Sequence, residues 1–463
     1  MTQLETDYLI VGSGAMGMAF ADTMLTETDA DIVIVDKHHK PGGHWNDAYS
    51  FVTLHQPSSY YGVSSKELSN GRKDTLGLNA GLNDLATGAE ILSYFDDVMR
   101  HTFLPSGRVH YFPMSEYLGN GLIRSLLSGE ETQIDVRRKT VDSTYLKTTV
   151  PSTHQRNYEV ASGIVCVPPN DLPQRADQHK NYMVIGGGKT GMDAVTWLLG
   201  HGAPPERIKW VMPRDGWLLA REKTQPTDDF FFATMGAQAS QMEALANATS
   251  IDDVFDRLEA AGVFVRIDED VRPEMFHGAT ISLAELETLR RIKDIVRLGR
   301  VKTIEADEIV FEQGVLPALD DTLYVDCTAI AVGNLETTQI FKGDLITLQP
   351  VRAVQPVFSA AFIAHIEATY TDEAEMNRLC TVVPLPNHDT DWLRAQQVFM
   401  MNQFNWSQIP DLRKWLLENR LDGYSRMVRN AGKDDPEKQA VLQRMRDNAM
   451  PAMAKLNQFL AEL

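Results

Sequence analysis

Two copies of one glycine-rich pattern constrain this chain more than any other feature of its sequence. The apolar run Tyr8–Val11 leads into Gly12–Gly17, and Met183–Ile185 leads into Gly186–Gly191, each with the spacing G-x-G-x-x-G. A helical stretch follows each motif, so both are typical of a strand, a tight turn and a helix. In such a unit the first glycine permits the turn, the second admits a pyrophosphate, and the third lets helix and strand pack closely. The repetition predicts an α/β fold with two dinucleotide-binding domains.

An acidic residue completes the first motif. The next apolar run, Ile32–Val35, ends on Asp36, about 20 residues after the last glycine, where a carboxylate hydrogen-bonds a ribose hydroxyl. The pyrophosphate is expected at the N-terminus of the helix, where free N–H groups favour negative charge. A lone glycine motif would also fit an ordinary turn, but the terminal acid favours a dinucleotide. The predicted ligand contacts are Gly12, Gly14, Ala15, Met16, Gly17, Asp36 and Lys37.

In the second motif, the residue expected near the end of the next strand is basic instead of acidic. The run Ile208–Met212 is followed by Arg214, and an arginine there can accept the 2′-phosphate of NADP. Residues 207–223 form a basic stretch, with five basic side chains against two acidic ones. This favours NADPH over NADH, although a solvated basic surface is the alternative. The stretch Gly188–Thr190 also resembles the end of a P-loop, but that motif requires a glycine where this chain has Met183. The predicted NADP contacts are Gly186, Gly188, Lys189, Thr190, Gly191 and Arg214.

Composition and charge limit the kinds of molecule that this protein is expected to bind. The chain has 463 residues and a net charge of −19, which would repel nucleic acid and anionic lipid. No apolar run reaches the roughly 20 residues that span a bilayer, and the acidic start is unlike a signal peptide. Cys166, Cys327 and Cys380 are too far apart for a Cys-x-x-Cys redox pair. We expect a cytoplasmic protein without a membrane, nucleic-acid or metal site, and leave a homo-oligomer open.

Four segments together resemble the flavin-containing monooxygenase-like flavoproteins, which have two dinucleotide-binding domains. They are Gly12–Gly17, residues 41–45 with the sequence PGGHW, residues 186–193, and residues 326–333 with the sequence DCTAIAVG. The PGGHW segment is similar to the family's Gly-Gly-x-Trp loop, which implies that Gly42, Gly43 and Trp45 lie along the FAD, and the predicted FAD contacts in this loop are Gly43, His44 and Trp45. The DCTAIAVG segment resembles the family's Asp-x-x-x-x-Ala-Thr-Gly strand, which is expected to return the chain to the FAD domain.

The chain departs from that family in two places. The signature Phe-x-Gly-x-x-x-His should precede the second motif, yet residues 171–181 read DLPQRADQHKN. The family also carries an asparagine or similar polar residue near the flavin, and His55 and Gln56 occupy the matching region. These two are our catalytic candidates, while a loop histidine satisfied by solvent is the alternative. Trp45, Tyr60, Tyr61 and Trp217 are candidate walls of the site.

The resemblance implies two Rossmann-like domains with the second inserted in the first. We expect an FAD-binding domain from residues 1–178 and 323–385 and an NADP-binding domain from residues 179–322. Residues 392–463 are rich in Leu, Met, Arg and Glu with few glycines, which predicts a helical C-terminal segment from residues 386–463. The implied reaction is NADPH-dependent reduction of FAD, followed by insertion of one atom of molecular oxygen into a small organic substrate through a C4a-hydroperoxyflavin. The alternative is an FAD-dependent NAD(P)H dehydrogenase or reductase without oxygen insertion, which the missing signature favours.

Overall fold

The computed structural model describes residues 2–330 and 335–463 of an α/β protein. Strands are numbered along the chain as β1 Thr2–Val11, β2 Ile32–Val35, β3 Gly62–Val63, β4 Lys66–Glu67, β5 Val109–Phe112, β6 Ser115–Gly119, β7 Leu122–Ser125, β8 Glu131–Asp142, β9 Glu159–Val160, β10 Cys166–Val167, β11 Asn181–Ile185, β12 Ile208–Val211, β13 Gly216–Ala220, β14 Phe264–Val265, β15 Met275–Ile281, β16 Ile295–Val296, β17 Val301–Ile304, β18 Glu308–Phe311, β19 Gly314–Pro317, β20 Thr322–Asp326, β21 Phe341–Lys342 and β22 Leu345–Thr347.

Helices fill the spaces between the sheets and form the end of the chain. They are α1 Ala15–Glu27, α2 Gly88–Val98, α3 Leu172–Arg175, α4 Lys189–Gly200, α5 Phe231–Asn247, α6 Ile251–Ala260, α7 Leu283–Leu289, α8 Pro356–Thr369, α9 Glu373–Leu379, α10 Asp391–Ser407, α11 Pro410–Glu418, α12 Tyr424–Asn430 and α13 Pro436–Glu462. None of the helices in the described part of the chain combines the length and the apolar character that a membrane span requires.

The first glycine motif lies at the centre of an eight-stranded sheet. Its five parallel strands run in the order β22, β8, β1, β2 and β5, while β21, β6 and β7 add antiparallel pairs. Along β1, Tyr8 and Ile10 enter one core and Leu9 enters another, as expected for a strand that is covered on both faces. The first glycine turn therefore lies at the carboxyl end of the sheet, where open α/β sheets bind ligands.

The second glycine motif begins from a separate parallel sheet with the order β10, β20, β11, β12 and β16. The first sheet takes strands from both sides of this region in the sequence, so the predicted insertion of one α/β unit in another is confirmed. Strand β20 pairs along its whole length with β11, from Thr322 opposite Asn181 to Asp326 opposite Ile185.

That pairing corrects one prediction. Strand β20 ends on Asp326, the first residue of the DCTAIAVG segment, and lies in the second sheet, so the boundary expected between residues 322 and 323 falls inside β20. The short strand β10, which was expected in the FAD domain, also lies in the second sheet. The last part of the motif, Ala331 to Gly333, lies outside the described residues.

The chain ends in helices α10 to α13, which confirms the predicted helical C-terminal region. The indole of Trp406 on α10 is buried against Phe362 of α8, with ring centroids 4.3 Å apart, and its Nε1 donates a hydrogen bond to the carbonyl of Leu379 at 2.8 Å. Farther along, Leu456 and Phe459 of α13 enter the core beside α5 and α6. The C-terminal region is therefore attached to both α/β units.

Candidate functional site

The first glycine turn leaves no room for side chains. Gly12 has φ +99°, and a Cβ on it would lie 2.6 Å from Oγ of Ser143. A Cβ on Gly17 would lie 2.1 Å from the carbonyl oxygen of Gly12, so only glycine lets α1 approach β1 this closely. Gly14 is the N-cap residue of α1 and has no side chain to cover the N–H groups of the first turn. These N–H groups form the kind of site that binds a pyrophosphate.

Asp36 is tied to this turn. One carboxylate oxygen accepts hydrogen bonds from the backbone N–H of Ser13 at 2.6 Å and from its hydroxyl at 2.8 Å. The other accepts from the backbone N–H of His38 at 2.8 Å. Burial opposes the charge, but the bonds from His38 and Ser13 outweigh it and lower the pKa of Asp36. The carboxylate is therefore ionised and fixed in orientation at neutral pH.

A cavity of about 1520 Å³ opens beside the turn and brings most of the first set of predicted contacts together. Its lining includes Gly12, Gly14, Ala15, Met16, Asp36, Lys37, Gly43 and His44. Two predicted contacts lie behind this surface: Gly17 packs on Gly12, and Trp45 is buried with its Nε1 donating to the hydroxyl of Tyr61 at 2.8 Å. Tyr61 itself lines the cavity. The volume and the glycine cradle fit a dinucleotide such as FAD.

The backbone of the loop that contains Gly43 lies directly against the backbone of the first glycine turn. A Cβ on Gly43 would lie 2.9 Å from Cα of Gly14, and Gly43 has φ +56°. His44 follows in the same short 3-10 helix, Gly43–Asp47. Burial lowers the pKa of His44 to about 4, so this imidazole is neutral where it borders the cavity.

The second glycine turn has the same construction. Gly186 has φ +130°, and a Cβ on Gly191 would lie 2.0 Å from the carbonyl oxygen of Gly186. That oxygen accepts a hydrogen bond from Nε1 of Trp210 at 2.8 Å. A Cβ on Gly188, the N-cap residue of α4, would meet no atom within 4 Å, so this face of the turn is open to a ligand.

The side chain of Lys189 turns away from that open face into a buried ionic cluster. Its ammonium pairs with Asp193 and lies 3.3 Å from Glu285, and Glu285 is 2.5 Å from the guanidinium of Arg221. Tyr49 donates a hydrogen bond to Asp193 at 2.7 Å. Two cations and two anions balance in this cluster. Any contact of Lys189 with a phosphate would therefore come from its backbone N–H, not from its charge.

Arg221 joins the two α/β units and was not predicted as a functional residue. Its side chain is 1% exposed, and its Nε donates to the carbonyl of His55 at 2.7 Å. Its other nitrogens donate to Oδ1 of Asn79 and to the carbonyl of Thr280, both at 3.2 Å. The signal in the sequence was only its membership of the basic stretch between residues 207 and 223.

The remaining candidates lie away from the lining of the large cavity. Burial, with Lys189 and Arg221 adding to it, lowers the pKa of His55 to about 3, so this imidazole is neutral at pH 7. Gln56 donates from Nε2 to the carbonyl of Val354 at 2.9 Å. Arg214 donates to Oδ1 of Asn387 at 2.7 Å. Of the aromatic wall candidates, Trp217 is wrong, because it stacks on Phe255 inside the core of the second unit.

The two glycine turns, the two sheets and the cavity define a fold with two dinucleotide-binding units. Residues 10–56 match the family of NAD(P)-binding Rossmann-like domains. An open crystal structure of cyclohexanone monooxygenase has a TM-score of 0.50 with this chain at 14% identity and covers 82% of this chain and 92% of its own. The cyclohexanone-bound structure of cyclohexanone monooxygenase in the rotated conformation gives the same values.

Sequence relatives place the chain more closely. It is 50% identical over 419 residues to Uncharacterized protein Rv2000 of Mycobacterium tuberculosis (strain ATCC 25618 / H37Rv), an alignment that covers 90% of this chain and 78% of the relative. Uncharacterized protein Mb2023 of Mycobacterium bovis (strain ATCC BAA-935 / AF2122/97) matches with the same values. The chain belongs to the family of these mycobacterial proteins.

Proposed function

We propose that the protein is an FAD-dependent, NADPH-using monooxygenase that inserts one oxygen atom from molecular oxygen into a small organic substrate. The observation that carries the proposal is the pair of glycine turns, each at the carboxyl end of a parallel strand. The first turn borders a cavity large enough for a dinucleotide. The cyclohexanone monooxygenase fold supports the same proposal. We assign FAD to the unit formed by the first sheet and NADP to the unit formed by the second.

The first unit holds FAD through its backbone and one carboxylate. The N–H groups after Gly14 would hold the pyrophosphate, and Asp36 would accept a hydrogen bond from a ribose hydroxyl. The loop at Gly43 and His44 would border the rest of the FAD, since its backbone lies against that of Gly14 without an intervening side chain. When bound, FAD supplies the redox chemistry, taking a hydride from NADPH and passing electrons to oxygen.

The second unit holds NADPH at the open face of Gly188. The N–H groups of Thr190 and its neighbours at the start of α4 meet the pyrophosphate, while the charge of Lys189 stays within the ionic cluster. Arg214 uses one of its five N–H donors on Asn387, and the others are available for a 2′-phosphate. Arg214 therefore determines the preference for NADPH over NADH.

His55 and Gln56 complete the proposed reaction site. The neutral imidazole of His55 carries one N–H, which would be available to donate a hydrogen bond to a reacting oxygen without adding a charge to the site. The bond from Arg221 to the carbonyl of His55 fixes the backbone of that residue. Gln56 is held by the carbonyl of Val354.

A second function is favoured by one observation. Residues 171–181 lack the Phe-x-Gly-x-x-x-His signature, and they form short helical turns around α3. An FAD-dependent NAD(P)H dehydrogenase or reductase would bind the same two cofactors and pass its electrons to another acceptor without inserting oxygen.

Cofactor content and anaerobic reduction test the shared part of both proposals. The purified protein, soaked with FAD, should show flavin absorbance and release the intact dinucleotide on denaturation. NADPH added without oxygen should bleach that absorbance faster than NADH at equal concentration. A protein that stays colourless after soaking, or a flavin that neither coenzyme bleaches, would contradict the assignment.

A further inference from the structure

His38 lies between two carboxylates at the edge of the large cavity. Its Nδ1 is 2.9 Å from Oδ1 of Asp36, and its Nε2 is 2.8 Å from Oδ2 of Asp47. Asp36 follows the end of β2, whereas Asp47 is the last residue of the 3-10 helix Gly43–Asp47. His38 therefore connects the ribose end of the cavity to the loop expected along the flavin, and all three residues line the cavity.

Only the imidazolium form satisfies this arrangement. A neutral imidazole has one N–H and can donate to one carboxylate, which leaves a lone pair facing the other. The hydrogen bond to Asp36, with a further one to Asp47, raises the pKa of His38 above its ordinary 6.5 although burial opposes the charge.

Two other titratable groups near His38 carry no charge at pH 7, so Asp36 and Asp47 are the charged groups that stabilise its imidazolium form. Burial lowers the pKa of His44, on the same 3-10 helix, to about 4, and burial raises the pKa of Tyr111, on β5 beside Ser13, to about 12. Both are neutral at pH 7. The turn between β5 and β6 contacts His38 through the backbone N–H of Met114, which donates to its carbonyl at 3.0 Å.

We propose that His38, as a doubly hydrogen-bonded imidazolium, is a positioning residue that makes the affinity of this protein for FAD depend on pH. This inference rests on the proposed FAD site. Ser13 and the backbone of His38 orient the Asp36 carboxylate, and the imidazolium ties it to the loop that carries Gly43. Loss of the proton removes one of the two bonds, so the loop and the carboxylate are no longer held together.

The test is the dissociation constant of FAD and the apoprotein, measured by flavin fluorescence from about pH 6 to about pH 9, a range that begins below the ordinary histidine pKa. The stabilising form is present at low pH and is lost as the pH rises through the raised pKa of His38. Since the bond that is lost is charge-assisted, the dissociation constant should rise about tenfold or more across that range. His38→Gln should bind FAD more weakly at low pH and with a flat profile. His39→Gln, at an exposed neighbour, should keep the wild-type profile.

A second variant keeps the proposal testable if His38→Gln does not fold. Asp47→Asn removes one of the two carboxylates and should move the midpoint of the profile to lower pH, with the fold checked by circular dichroism. A flat wild-type profile, an unchanged midpoint in Asp47→Asn, or a wild-type slope in a folded His38→Gln would each overturn the proposal. Affinity that rises with pH would mean that His38 competes with the ribose for Asp36, which also overturns it. Absence of FAD binding at every pH would instead refute the FAD site itself, and this inference with it.

Discussion

Replacing Arg221 by methionine should destabilise the protein severely. The methionine retains part of the apolar stem, but Glu285 loses a partner at 2.5 Å and the carbonyl of His55 loses a donor at 2.7 Å. Burial would raise the pKa of Glu285, yet Lys189, Arg221 and the backbone N–H of Ser282 together lower it from 4.5 to about 2, a net interaction on the order of 3 kcal/mol of which Arg221 supplies a part. An unsatisfied buried carbonyl adds about 1–3 kcal/mol. A loss of about 3–5 kcal/mol is expected, as for other broken buried ion pairs.

Urea unfolding followed by circular dichroism measures this loss. Arg207→Met, at an exposed arginine, is the matched control and should change the free energy of unfolding by less than about 0.5 kcal/mol. Arg221→Met combined with Glu285→Gln removes both charges and should recover part of the stability. Because the pKa of Glu285 is lowered, its contribution is complete above pH 4.5 and is lost as the pH falls towards 2, so the gap between wild type and Arg221→Met should narrow in acid. Equal unfolding midpoints for the two arginine variants at neutral pH would refute the reasoning.

Three further predictions concern the two nucleotide sites and the reaction. Arg214→Ala should raise the KM for NADPH about tenfold or more, because a charge-assisted contact worth about 1.5–3 kcal/mol is lost. Steady-state kinetics with both coenzymes measure this change, and an equal rise in the KM for NADH would count against the role of Arg214. Gly17→Ala should abolish FAD binding in a titration, because its Cβ would lie 2.1 Å from the carbonyl oxygen of Gly12, whereas Gly200→Ala, whose Cβ meets no atom within 4 Å, should bind FAD like wild type. His55→Ala should increase the peroxide released per NADPH oxidised, measured with a peroxidase-coupled assay, and an unchanged ratio would remove His55 from the proposed reaction site.

Local patterns predicted the two glycine turns because their requirements are local. Gly17 must face Gly12 five residues earlier, and Gly191 must face Gly186 in the same way, so the spacing alone carries the geometry. Asp36 followed from its place at the end of β2, and the structure ties it to Ser13 in the turn. The helical C-terminal region followed in the same way from composition and apolar spacing.

Local sequence patterns could not predict contacts between distant parts of the chain. Lys189 resembles a phosphate ligand in its motif, but Glu285 lies almost 100 positions away in the sequence and helps to hold its charge inside the protein. Trp217 was expected to be a wall of the site, yet packing against Phe255 buries it in a core. The strand β20 was assigned to the wrong sheet because its pairing with β11 depends on the return path of the chain.

The fate of oxygen tests the central claim most directly. Enzyme reduced by NADPH without oxygen should be mixed with oxygenated buffer in a stopped-flow spectrometer, and the flavin absorbance followed in time. A monooxygenase should give a transient absorbance that differs from both reduced and oxidised flavin, and its decay should be accompanied by oxidised flavin. Reoxidation in a single step, with or without candidate substrates, would contradict the monooxygenase proposal and leave the reductase in its place.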